Sequence, residues 1–246
     1  MNDEILNWEW AKSSSGNLTA RQKRQLTRMV AKETPAAVAS ALRYRLGTRG
    51  TGRTDLATIP DSRLARQAEE EARESLSPYL LEHSYRSYFF GRVLAGIDGA
   101  RVDDELVYVS SLLHDLTLDT PTPGQCFAYV SGARAAELAR SWGADPDWAE
   151  AVGAAGCGHL TPGAGLDDPA AFVLAGSSVD AIGRRMEEFD PAWVTELLGK
   201  HPRHGLKRNL VAAMRAEARA VPDGRVRHAD RAGTVSFMIR RAPFPE

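Results

Sequence analysis

The chain has 246 residues, 43% of them hydrophobic and 26% charged, which is the composition of an ordinary globular protein with one large core. Its 31 basic and 32 acidic side chains leave a net charge of −1, so no global field draws it toward nucleic acid or an anionic membrane, and neither is expected as a partner. No apolar run approaches the roughly 20 residues that cross a bilayer. Cys126 and Cys157 form neither a CxxC pair nor a disulfide framework, and the opening "MNDEILNWEW" lacks the basic-then-apolar pattern of a secretory signal, so a reducing cytoplasm is the expected compartment.

In chain order, apolar residues recur three or four apart almost everywhere and strand-like alternation is nearly absent, which predicts an all-α protein. "LTARQKRQLTRMVAKE" places Leu18, Leu26, Met29 and Val30 at helical spacing behind an N-cap at Thr19, and a second helix, "AAVASALRYRL", is expected after Pro35. Residues 1–53 form an N-terminal helical extension with ten basic side chains against four acidic ones, read as a solvated face. Residues 47–62, "GTRGTGRTDLATIPDS", read as a linker or exposed loop: no GK[ST] follows the glycines and no strand precedes them, as a phosphate-binding loop would need.

The main domain is expected over 58–246. Its helices are predicted near 62–75, 77–97, 104–116, 124–142, 146–158, 168–186, 191–199 and 205–220, separated by Gly/Pro/Asp clusters. The β-branched and aromatic run from Thr234 to Ile239 has no partner strand, so a final helix or extended arm is expected.

Three of these helices carry metal-capable side chains in apolar settings. His83 lies in "PYLLEHSYRSYFFGRVLAG", His114 and Asp115 close "VYVSSLLHD", and Asp180 sits between Val179 and Ala181 in "FVLAGSSVDAIGRR". Burying such groups is costly unless a hydrogen-bond partner or an ion compensates. Two imidazoles and two carboxylates suit zinc, iron or manganese. Each residue alone also fits a plainer role: a core histidine with a hydrogen bond, or an aspartate paired with Arg86 or Arg92.

The ordered series His83, then His114–Asp115 some thirty residues on, then Asp180, resembles the HD-domain superfamily of metal-dependent phosphohydrolases. "HSYRSYFFG", "GARAAELARSWG", "AVGAAGCGHLTPG" and "AGSSVDAIG" are similar, in order, to motifs of its cyanamide hydratase-like branch, over roughly residues 58–232. The resemblance implies an HD-type helical bundle with one divalent ion, zinc first and iron or manganese as alternatives, held by His83, His114, Asp115 and Asp180. Two departures stand out: "HDLTLD" lacks the glycine that often follows the HD pair, and Phe127 is followed by Ala128 where the branch often has glutamate.

The implied activity is hydrolysis, with metal-activated water attacking a phosphate ester or similar small electrophile. Hydration of a small nitrile such as cyanamide, and a non-catalytic ligand-binding module, are the alternatives. Asp115 would orient the water, and His159 would donate a proton, bind substrate or ligate a second ion. Arg86, one turn after His83, would grip an anionic group or pair with a buried carboxylate such as Asp115. His201 and His204, in "KHPRHGLKR", are expected in a solvated basic loop, and His228 is a weaker candidate for the rim of the site. The partner is a small-molecule substrate, and self-association stays open.

Overall fold

The structure, a computed structural model, describes residues 6–230 and 233–245. Among the described residues it is all α-helical, without a strand. A short helix and a long one make the N-terminal part: α1 spans Trp8–Ser14 and α2 spans Ala20–Arg45. The expected break at Pro35 does not occur, and α2 is one helix of 26 residues. Proline's fixed φ suits a helix, and the carbonyl its missing N–H would have bonded belongs to Ala31, which lies on an exposed stretch where water can reach it.

The central element is α4 (Pro78–Asp98), which follows α3 (Arg63–Ser75). Pro78 opens it at a position where no N–H is needed, and Gly99 ends it in the left-handed conformation. Burial on nearly every face, from Tyr79 to Ala95, makes it the core of the protein rather than a surface helix. Around it lie α5 (Asp104–Leu113), α6 (Phe127–Ser141), α7 (Pro146–Gly158) and α8 (Pro169–Ile182). Asp103, Asp145 and Asp168 each cap the helix that follows with a side-chain oxygen on a free backbone N–H.

Two seams of small residues set the packing. A Cβ added at Gly176 would lie 1.9 Å from the Ser87 carbonyl oxygen, so α8 meets α4 backbone to backbone. A Cβ at Gly132 would lie 2.5 Å from the Gly153 carbonyl oxygen, so α6 and α7 touch in the same way. Close approach at Gly176 brings Asp180, one turn further along α8, against α4.

α8 stops at Gly183, short of the expected 186, and a 3-10 turn follows at Met186–Glu188. The chain closes with α9 (Pro191–Lys200), α10 (Leu206–Ala220), α11 (Arg225–Ala229) and α12 (Thr234–Arg241). The final apolar run is therefore a helix.

The N-terminal helices lie on this bundle. Leu6, Leu18 and Leu26 form a small cluster of their own with Trp10. Several basic side chains of this region are spent on carboxylates: Lys23 on Asp223 at 2.5 Å, and Arg43 on Glu187 at 2.5 Å. Residues 50–56 are not a free linker. Gly52 exchanges backbone hydrogen bonds with Glu188 and Asp190 at 2.9 and 3.0 Å, and the Trp193 indole donates to the Thr54 carbonyl at 2.7 Å. No helix of the described residues is long and apolar enough to cross a membrane.

Candidate metal centre

The last helical residue of α5 is Leu113, so His114 and Asp115 begin the turn that leaves the helix. Residues 114–119 are pinned on both sides. The Thr117 N–H donates to Ser131 Oγ on α6 at 3.1 Å, and Asp119 accepts hydrogen bonds from Ser77 and Tyr79 at the start of α4. This turn, "HDLTLD", holds the two side chains rigidly toward the centre of the bundle.

His83, His114, Asp115, His159 and Asp180 are all at most 4% exposed. One ligand atom from each of His83, His114 and Asp115 lies within 4.8 Å of the other two. Asp115 Oδ2 is 3.3 Å from His114 Nε2 and 3.9 Å from His83 Nε2, and Asp115 Oδ1 is 3.8 Å from His159 Nε2. Three imidazoles thus turn the same ring nitrogen toward one carboxylate.

The other nitrogen explains why. His114 Nδ1 lies 2.8 Å from the Ser111 carbonyl oxygen, and His159 Nδ1 lies 2.5 Å from that of Gly156. A carbonyl only accepts, so each Nδ1 carries the proton and each neutral ring presents a bare Nε2 lone pair. His83 Nδ1 lies 2.6 Å from Asp180 Oδ2, which fixes the same tautomer. This carboxylate–histidine pairing is how proteins orient a metal-binding imidazole.

Burial favours these neutral forms. It lowers the His114 pKa and pushes His159 down to about 3, with the neighbouring His114 adding to the effect on His159. His159 at neutral pH therefore offers a lone pair, which among its three expected roles suits a ligand or substrate contact rather than a proton donor. Phe127 stands edge-on to the His159 ring at 5.7 Å and walls this side of the site.

Asp180 stands behind His83 rather than beside Asp115. Arg86 clamps it with two bonds, Nε to Oδ1 at 2.8 Å and Nη2 to Oδ2 at 2.9 Å. Arg203 adds a third at 2.6 Å. Burial works to raise the Asp180 pKa, but the two guanidinium groups and His83 outweigh it and hold the carboxyl well below the usual range. With both oxygens engaged, Asp180 orients His83 while Asp115 faces the site.

Arg86 also spends Nη1 on the carbonyls of His201 and Pro202, at 3.0 and 2.9 Å. Of its two expected roles it fills the structural one, with Asp180 and not Asp115 as the partner. His201 is buried rather than solvated: it pairs with Glu82 at 2.7 Å and stacks on Tyr85 at 4.8 Å. His204 is exposed, and His228 meets Thr27 on α2 at 2.7 Å. Arg203 is the participant that sequence reasoning missed, because its setting in a basic loop carries no sign that it folds back onto α8.

Two polar atoms test whether an ion fits. His114 Nε2 and Asp115 Oδ1 are buried without a hydrogen-bond partner. A bare lone pair and a carboxylate oxygen, each buried without a donor in one small cluster, are costly unless a cation compensates them. The donor set of imidazole nitrogen and carboxylate oxygen is one that divalent transition metals take.

No protein-family model matches this chain, and no curated protein is significantly similar to it. The fold and the site define an all-α protein whose buried His83–His114–Asp115 cluster can hold a metal ion. That arrangement is compatible with an HD-type site.

Proposed function

We propose that this protein is a metal-dependent hydrolase of the HD type that uses one divalent ion, zinc before iron or manganese, to activate water against a small electrophile. The observation that carries the reading is the pair of unpartnered buried atoms, His114 Nε2 and Asp115 Oδ1, within a set of imidazoles whose outer nitrogens are all anchored. His83, His114 and Asp115 would hold the ion, and His159 is the nearest further donor. A bound divalent ion would bring the pKa of water from near 16 toward about 7, which supplies the nucleophile at neutral pH.

The chain's own residues do the rest. Asp180, clamped by Arg86 and Arg203, keeps His83 in one tautomer and one orientation. Asp115 Oδ1 is an acceptor with no competing donor, able to orient the attacking water and to take up its proton. Burial of the whole cluster excludes bulk water, so the electrostatic effect of these groups is strong.

One observation favours the hydration alternative over phosphate-ester hydrolysis. The residue expected to grip an anion, Arg86, has Nε, Nη1 and Nη2 all engaged within the protein. A small uncharged electrophile such as a nitrile needs no such grip and suits a site this enclosed. The discriminating experiment assays metal-loaded protein in parallel for phosphate release from an aryl phosphate and for urea formation from cyanamide, with Asp115→Asn as control. Metal-dependent turnover of either substrate, lost in the variant, supports the enzyme reading and names its branch. A fully metal-loaded protein that turns over neither, nor any other small ester or nitrile, leaves the ligand-binding module in its place.

A further inference from the structure

The Gly/Thr/Arg stretch that sequence reasoning set aside as a linker lines a cleft of about 760 Å³. That is within the roughly 300–1,000 Å³ typical of small-molecule sites. One wall is residues 48–54; the other is the last turns of α4, where Val93, Gly96 and Ile97 face the cleft. These residues lie ten to fourteen positions beyond His83, about 15–21 Å along the helix axis, so the cleft is separate from the metal cluster.

The loop's shape is fixed by its backbone. A Cβ at Gly50 would lie 2.0 Å from the Glu188 carbonyl oxygen, and one at Gly52 would lie 2.8 Å from the same atom. Only glycines allow this contact, which presses the loop against the 3-10 turn and leaves the flanking Arg49 and Arg53 lining the cleft.

Charge in the cleft is unbalanced in favour of cations. Four arginines and two glutamates line it, but Arg43 is spent on Glu187 and Arg92 lies 3.5 Å from Asp104, which leaves Arg49 and Arg53 as the cations that matter. Both glutamates are already neutralised: Glu187 accepts from Ser40 and Arg43, and Glu188 from Arg185. Arg49 meets no carboxylate among the described residues. It lies over the Tyr44 ring at 3.9 Å, with Nη1 on the carbonyls of Tyr44 and Thr48, so its guanidinium is held in one orientation. The nearest carboxylate oxygen to Arg53 is Asp190 Oδ2 at 3.8 Å, beyond hydrogen-bond reach. Beside these cations, Ile97 is 46% exposed, an apolar surface facing the same space.

We propose that this cleft binds a phosphate-bearing organic molecule, with its phosphate on Arg49 and Arg53 and its uncharged portion against Val93 and Ile97. Two guanidinium forks match phosphate oxygens bidentately, and a fixed loop lowers the entropy lost on binding. The apolar wall is what separates an organic phosphate from the free anion.

The test is titration calorimetry on the full chain with ADP and, separately, with inorganic phosphate. Saturable one-to-one ADP binding is expected, weakened about tenfold or more by Arg49→Ala combined with Arg53→Ala at unchanged melting temperature. Ile97→Ser should weaken ADP and leave phosphate unaffected, and His114→Ala, in the metal cluster, should bind ADP as the parent does. Absence of saturable binding at millimolar ADP overturns the proposal. So does an equal loss in Arg45→Ala, an exposed arginine outside the cleft, since that would mean diffuse attraction. Loss of ADP binding in His114→Ala would move the ligand to the metal cluster.

Discussion

Asp180 and Asp115 are two carboxylates in the same dry interior, both within reach of His83, yet the protein treats them differently. Asp180 is surrounded: a two-bond clamp from Arg86, a bond from Arg203 and the His83 Nδ1–H account for both of its oxygens. Asp115 faces three imidazole lone pairs, and its Oδ1 has no donor at all. Buried carboxylates keep their charge only where something compensates it. For Asp180 the protein supplies the compensation; for Asp115 it supplies a cage of acceptors into which a cation fits. One carboxylate builds the site and the other faces into it.

That contrast breaks most readily at Asp180. Asp180→Ala leaves two buried guanidinium groups without their shared counter-charge, and a loss of about 3–5 kcal/mol is expected, with or without metal. Urea denaturation of the variant measures it. A cost below about 1 kcal/mol would mean that the Asp180 network holds little together. Arg86→Lys comes next: an ammonium cannot reproduce the fork or reach both carbonyls, and about 2 kcal/mol of stability should be lost, visible as a lower melting temperature.

Titration sharpens the difference further. His114 and His159 have folded-state pKa values lowered by burial, to about 3 for His159, against about 6.5 when unfolded. The unfolded chain therefore binds more protons as pH falls below 6.5. Metal-free protein should lose stability through that window at about 1.4 kcal/mol per pH unit for each histidine. His159→Gln should remove one share of that slope in denaturation curves recorded between neutral pH and about pH 4. Asp180, whose pKa is also held low, contributes stability that is lost only below about pH 4. The smallest effect belongs to Asp115. Asp115→Asn removes an uncompensated charge, so metal-free protein should change by no more than about 1 kcal/mol, toward greater stability, while losing its metal.

Much of the fold was legible because helical periodicity and Asp or Gly at helix ends are local signals. The helices carrying His83 and Asp180, and the helix that His114 and Asp115 follow, lie where the apolar spacing puts them. What the sequence could not carry was which face of each helix meets which neighbour. Asp180 reads the same in sequence whether it faces an ion or two arginines; Gly176, by letting α8 touch α4, decides it. Arg203 lies 23 residues away in a segment that looks solvated, and Pro35 reads as a helix break because sequence does not show that Ala31 is open to water. The glycines at 50 and 52 read in sequence as a linker, and only the contact with Glu188 gives them a structural meaning.

The central claim is that Asp115 and its imidazoles await a cation, and metal content tests it most directly. Elemental mass spectrometry of the purified protein should find close to one equivalent of zinc, iron or manganese, and His114→Ala should lose it while remaining folded. A parent protein that takes up none of these ions, even when each is resupplied, would contradict the claim and leave His83, His114 and Asp115 as a buried polar cluster without a ligand.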